Sequence, residues 1–151
     1  MIKIAHESLA NVKMELLPLL AEHWELVALN KGKIKLNPDW KEYARLDASG
    51  ALRIFTARKD GVLVGYFVLI INKSIHYSDH FFAVNDVIFV KPDSRAGATG
   101  YKLLKYAENY CKQVGCSTLT VNTKVHIPFD KLMIGMGFDL IERVYCKFLG
   151  K

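Results

Sequence analysis

"VKPDSRAGATGYKLL", residues 90–104, decides how the chain is read. A strand end closes on Pro92, and Arg95, Gly97 and Gly100 then stand directly before an amphipathic run. Small residues at the mouth of a helix leave backbone N–H groups bare, and the helix dipole favours negative charge there. The stretch therefore predicts an anion held where a strand turns into a helix. Downstream, Leu103, Leu104, Ala107, Cys111 and Val114 recur at helical spacing, and Gly115 stands where a helix would be capped. Upstream, "FFAVNDVIFV" (81–90) reads as the strand that enters the loop.

The same reading extends outward in both directions. "LRIFTAR" (52–58) and "VLVGYFVLIIN" (62–72) change the period to two, and Asp60-Gly61 between them is a hairpin signal. Before them, Ser8 caps a helical stretch carrying Leu9, Val12, Leu16, Leu19, Leu20, His23 and Val27, in which Pro18 either bends the helix or opens a second one. "NPDWKEYARLDASG" (37–50) predicts a short helix with Asn37 as cap, Pro38 at its first position and Gly50 at its end. After the central helix come a strand, "STLTVNT" (117–123), a short helix, "IPFDKLMIGM" (127–136), and a closing strand or broken strand pair, "FDLIERVYCKFL" (138–149). Phe129, Leu132, Met133 and Met136 are expected to face inward. With a short apolar start at Ile2–Ile4, this order gives one α/β domain over residues 1–151, built on a mixed sheet.

Composition narrows the class. The chain has 151 residues, 51% of them hydrophobic and 24% charged, enough for one sizeable core. Its longest uncharged apolar run, Val62–Ile71, is short of a membrane span, and Lys3, His6, Glu7, Lys13 and Glu15 break any secretory pattern, so a cytoplasmic protein with no membrane partner is expected. Three cysteines without CxxC spacing read as small buried residues in a reducing compartment. "HYSDH" (76–80) sets His76, Asp79 and His80 together but leaves a strand rather than sitting on a helix, so no metal site is expected. Formal charge is +6: residues 1–50 carry seven basic and seven acidic side chains, 51–100 six and four, and 101–151 eight and four. The excess lies in the half that holds the glycine loop, which suits an anionic partner. Nucleic acid has only this charge in its favour.

These blocks resemble the GNAT superfamily, the Gcn5-related N-acetyltransferases. The family's core motif is a strand ending near Val-x-Pro, then Arg/Gln-x-x-Gly/Ala-x-Gly/Ala, then a helix. "VKPDSRAGATGYKLLKYAE" supplies Arg95, Ala98 and Gly100 at its first, fourth and sixth positions, with Ala98 in place of the commoner glycine. A second signature, an asparagine-bearing strand followed by a helix ending in Gly-Phe, is matched by "LTVNTKVHIPFDKLMIGMGF", with Asn122 and Gly137-Phe138 in place and His126 near a position that is often asparagine. The compact length, with "HWE", "LNPDW" and "TARKDGVLVGY", looks most like members found in bacteriophages and prophages.

The resemblance implies a single-domain GNAT fold: a mixed, mostly antiparallel twisted sheet flanked by helices, with an acyl-CoA cleft between two splayed central strands. It implies acetyl-CoA as acyl donor and no metal. Arg95, Ala96, Gly97, Ala98, Thr99 and Gly100 would hold the pyrophosphate, backbone groups of Ile88, Phe89 and Val90 would pair with the pantetheine, and Asn122 would join them. The plainer alternative for the loop is a turn that only caps its helix. Asp86, just before the binding segment, is the candidate base that takes a proton from the attacking amine, or else an ordinary strand-end carboxylate. Relatives often protonate the leaving thiolate with a tyrosine four residues before the Gly-Phe pair. This chain has Met133 there, which donates no proton. Tyr145, His126 and Tyr101 could substitute by chemistry alone, or the thiolate, with a pKa of ~8.5, could leave unassisted. His23 and Trp40 could line an acceptor pocket or simply pack. The expected activity is direct transfer of an acetyl group to a primary amine, on a small molecule or a protein, in a ternary complex. The competing reading is a catalytically weak CoA- or partner-binding module, and dimerisation of relatives makes a homodimer a further expectation.

Overall fold

In the computed structural model, which describes residues 1–151, the chain starts in strand β1 (Ile2–Glu7) and turns at Ser8 into helix α1 (Leu9–Val27). The Ser8 side chain accepts from the Asn11 N–H, satisfying one of the donors that a helix start leaves open. α1 buries Leu9, Val12, Leu16 and Leu19, and Pro18 lies inside one continuous helix rather than at the start of a second. Helix α2 (Trp40–Ser49) is capped by Asp39, whose side chain accepts from the Glu42 N–H at 3.0 Å. This corrects the expected cap at Asn37: the carboxylate two residues later reaches the free N–H, so Pro38 precedes the helix. Gly50 ends α2 with φ +82°, as its position predicts.

Strands β2 (Leu52–Lys59) and β3 (Val62–Lys73) form the expected hairpin. Asp60 and Gly61 both take positive φ, 51° and 84°, as a two-residue primed turn requires. Strand β4 (Phe81–Val90) pairs antiparallel with β3 and leads through a single 3₁₀ turn at Pro92–Ser94 into helix α3 (Thr99–Val114), which stops at Gly115. Strand β5 (Cys116–Thr120) returns parallel to β4, ending before Asn122, and helix α4 (Asp130–Gly135) follows. The sheet order is β1-β2-β3-β4-β5, with only the last pair parallel.

Alternation along β3 divides the core between the two faces. Phe67 and Leu69 join Phe55, Leu103, Leu104, Ala107 and Met133 under α3 and α4, while Tyr66 and Val68 join Val12, Leu16, Ile54 and Phe89 under α1. Because both faces are covered, β3 is buried without interruption from Leu63 to Leu69. Phe129, Leu132 and Met136 pack against the α3-side core as expected. No helix is long and apolar enough to cross a membrane.

The C-terminal strand expected over residues 138–149 does not form. Phe138 and Phe148 keep contact with the body, but the residues between them lie outside any sheet and are exposed: Leu140 74%, Ile141 78%, Val144 81% and Tyr145 89%. A period-two pattern states that a segment needs a partner strand. It does not supply one, and β5 pairs here only with β4.

Candidate active site

Two irregularities in β4 build the site. Val68 pairs with Val87 and Leu69 with Asn85, so Asp86 is the extra residue of a β-bulge. Such a bulge bends its strand and redirects side chains. On the opposite edge, β4 pairs with β5 only through Phe81–Val84. From Asn85 onward the two parallel strands part, and alternate backbone groups of residues 85–90, Ile88 to Val90 among them, face an open fork. The side-chain amide of Asn85 sits where the prongs separate, 3.4 Å from the backbone nitrogen of Asn122 and 3.2 and 3.3 Å from those of Asp86 and Val87. Asn122 itself is exposed, just past the end of β5.

The fork leads into the glycine loop. The N–H groups of Ala96, Gly97, Ala98, Thr99, Gly100 and Tyr101 donate to no other group of the protein. α3 has no side-chain cap, whereas α1 and α2 are capped by Ser8 and Asp39. Gly97 has φ +82°, and a β-carbon there would meet nothing within 4 Å, so its requirement is backbone conformation rather than space. Gly100 is held less tightly: a β-carbon would lie 3.8 Å from Leu132 Cδ2, an ordinary contact. Six consecutive free donors at a positive helix end make a cradle for an anion of phosphate size. Arg95 stands beside it with Nε donating to the Val90 carbonyl at 2.7 Å and its guanidinium 5.8 Å from the Phe89 ring centroid. Only Nε is engaged, which leaves both terminal nitrogens free to meet an anion.

On the α1 face of the fork lie groups that the sequence does not pair. Tyr43 Oη on α2 donates to Asp86 Oδ2 at 2.6 Å, and burial together with this bond raises the phenol's pKa. Tyr66 Oη lies 2.9 Å from His23 Nδ1, and the His23 ring stacks on Phe89 with centroids 4.8 Å apart and planes 9° from parallel. Burial, then the charges of Lys124 and Arg95, lower the His23 pKa to about 4, so the imidazole is neutral at pH 7. Tyr66 is itself shifted upward by burial. The Tyr43–Asp86 and His23–Tyr66 pairs each span 43 residues, which local pattern cannot reveal; the signal available was only the inward position of Tyr43 and His23 on their helices.

The other proposed participants fall elsewhere. His126 Nε2 lies 3.1 Å from the Val27 carbonyl, tying the loop after β5 to the end of α1. Tyr145 is on the exposed C-terminal segment, Tyr101 is 45% exposed on α3, and Met133 is 8% exposed within the core. Neither Tyr145 nor His126 is hydrogen-bonded to Asp86, whose side-chain partner is Tyr43. His80 Nδ1 contacts Ser117 Oγ at 2.6 Å, joining the β3–β4 loop to β5. Burial pushes the Cys111 thiol up to about 12 and raises Cys116 as well, which keeps both thiols protonated at pH 7.

Residues 16–129 match the acetyltransferase (GNAT) family. Among solved structures, the chain is similar to a ribosomal-protein-alanine N-acetyltransferase from Brucella melitensis biovar Abortus 2308, at 24% identity and TM-score 0.73, covering 99% of this chain and 100% of that one. It is similar to glucosamine-6-phosphate N-acetyltransferase from Arabidopsis thaliana at 15% identity and TM-score 0.72, covering 99% of each chain. The enzyme AAC(6')-Iy, solved in complex with the bisubstrate analogue CoA-S-monomethyl-acetylneamine, shares 19% identity at TM-score 0.68, covering 98% of this chain and 97% of that one. No curated protein matches the sequence.

Proposed function

The chain belongs to the acetyltransferase (GNAT) family, and on that premise we propose that it transfers the acetyl group of acetyl-CoA directly to a primary amine held in the same ternary complex. The observation that carries the proposal is the continuity of the open β4 edge with the six free N–H groups of residues 96–101. A pantetheine arm needs peptide-like partners along an extended strand, and a pyrophosphate needs a cluster of donors one strand-length away. This chain offers both in that order, and Arg95 adds a cation beside them.

Acetyl-CoA supplies an acyl carbon activated as a thioester. A backbone N–H of the Ile88–Val90 edge stabilises the negative charge that develops on the carbonyl oxygen. Asp86 takes a proton from the bound ammonium, directly or through water, so that the neutral amine attacks the thioester carbonyl, and the Tyr43 hydroxyl fixes the Asp86 carboxylate. The C–N bond forms, the C–S bond breaks, and the sulfur leaves as thiolate and gains a proton. Tyr145 and His126 are the proposed sources of that proton only if a motion brings them to the fork; otherwise solvent serves. Asn122, at the mouth of the fork, is proposed to contact the pantetheine. The proposed acceptor is a small-molecule or protein amine, and the three free cysteines support a proposed cytoplasmic location. Its compact build keeps the phage and prophage members as the proposed subgroup.

Met133 favours a second reading: with an apolar core side chain where relatives place a tyrosine, the protein could bind CoA and transfer poorly. Incubation with radiolabelled acetyl-CoA and a cell lysate separates the two. Label appearing on one amine-bearing molecule supports transfer and identifies the acceptor. CoA binding with neither transfer nor hydrolysis supports the binding module.

A further inference from the structure

Beside Asp86, α1, α2 and the sheet enclose an apolar crevice, and we infer that it selects the acceptor: a primary monoamine on an unsubstituted alkyl arm, with the ammonium on Asp86 and the arm in the crevice. The inference rests on the transfer reading and narrows its acceptor to one chemical class. Leu20 of α1, Trp40 of α2, and Ile54, Tyr66 and Val87 of the sheet line the crevice together with Tyr43 and Asp86. Neighbouring strand residues ordinarily point to opposite faces of a sheet. Here the bulge at Asp86 brings its carboxylate and the Val87 side chain to the same wall. Asp86 is the only charged residue in that wall. Its Oδ2 accepts from the Tyr43 hydroxyl at 2.6 Å, whereas Oδ1 accepts from no group of the protein. One free carboxylate oxygen suits one ammonium.

The rest of the wall decides what the ammonium is attached to. Both hydroxyls that line the crevice are already engaged: Tyr43 Oη donates to Asp86, and Tyr66 Oη lies 2.9 Å from His23 Nδ1. A hydroxyl on the acceptor's arm, as in an amino sugar or amino alcohol, would lose its water and meet aliphatic and aromatic carbon instead. A second ammonium, as in a polyamine, would find no second carboxylate in the wall. It would also meet like charge, since Lys13 Nζ already stands 5.1 Å from the centroid of the Trp40 ring. The volume is about 20 Å³, so the crevice seats the first carbons of an arm and leaves any larger body outside. An alkyl arm loses nothing on entering and gains the burial of its carbons.

The test uses three amines of one shape: propylamine, ethanolamine and 1,2-diaminoethane, which differ only in the third atom beyond the amino nitrogen. Binding is followed at one pH with saturating CoA, through the fluorescence of Trp40 in a Trp24→Phe protein. Release of CoA from acetyl-CoA is measured in parallel on the wild type. The inference expects propylamine to bind about tenfold or more tightly than either of the others, the low end of what one apolar group is worth in a hydrophobic pocket. Val87→Thr, which keeps the shape but adds a hydroxyl to the wall, should narrow that preference several-fold while the circular dichroism of the fold is kept. Equal binding of the three amines overturns the inference. So does a preference for ethanolamine or 1,2-diaminoethane, so does the absence of any Trp40 response to propylamine, and so does a preference that Val87→Thr leaves unchanged. The transfer reading fails separately: propylamine would then bind with the expected preference, yet no acetylated propylamine would form as CoA is released.

Discussion

Asp86 receives its hydroxyl partner from a helix 43 residues earlier, and its place in the bulge sets it at the start of the open backbone edge. If Asp86 takes the amine proton, Asp86→Asn keeps the shape and much of the hydrogen bonding but removes the base. Turnover is expected to fall by ~10² to 10⁴ with CoA affinity retained, most severely at low pH where free amine is scarce. Unchanged turnover from pH 6 to 9 would remove Asp86 from the mechanism. His23 makes a different prediction. Burial first, then Lys124 and Arg95, bring its folded pKa to about 4 from the ordinary 6.5, so the unfolded chain binds the extra proton between those values. The stability this contributes is complete above pH 6.5 and is lost as pH falls toward 4. In urea unfolding across that range, His23→Gln should lose stability with a shallower slope than wild type; identical slopes would show that His23 titrates freely. At this scale the sequence was legible where a single residue sets a local conformation: Gly50, Gly61 and Gly115 each adopt the positive φ their positions call for. The Tyr43–Asp86 and His23–Tyr66 pairs were not, because each joins residues that only the folded sheet brings together.

Between elements, the fork depends on how closely β3 supports the end of β4. A β-carbon on Gly65 would sit 3.0 Å from the Phe89 carbonyl oxygen and 3.1 Å from Val90 Cγ2, so Gly65→Ala must displace the strand that carries the binding edge. We expect destabilisation of about 1–3 kcal/mol, the range for overpacking, together with a higher KM for acetyl-CoA. A variant with wild-type stability and KM would show that the strand end yields freely. The loop has its own requirement: Gly97→Ala places a side chain at positive φ, costing about 1–2 kcal/mol in the conformation that aims the free N–H groups. CoA affinity should drop several-fold in a calorimetric titration while α3 persists by circular dichroism; unaltered affinity would mean that the loop serves only to start the helix. The hairpin, the loop and α3 were readable because turn chemistry and periodicity act within a few residues. The bulge and the fork were not readable from pattern alone. They record a register shift between strands, which leaves no mark on either strand's own alternation, and the expected cleft came from resemblance. The closing segment shows the complementary failure, a strand pattern without a strand.

For the whole molecule, the layered sheet presents one continuous surface, from the parting of β4 and β5 to the start of α3, and this is the proposed binding face for the acyl donor. Fold class was legible because the order of helices and strands fits few arrangements, and two separate motif blocks fell in the family's order. The acceptor was not, since the same core serves relatives whose names carry a protein alanine and an amino sugar phosphate. What every version of the account requires is that this surface binds the acyl donor. The direct measurement is the melting temperature of the purified protein with and without acetyl-CoA. At ~100 times its dissociation constant, a ligand specific to the folded state adds ~2.7 kcal/mol, so the account predicts a clear rise with acetyl-CoA or CoA and almost none with NAD. A folded protein whose melting temperature does not move at millimolar acetyl-CoA would contradict it.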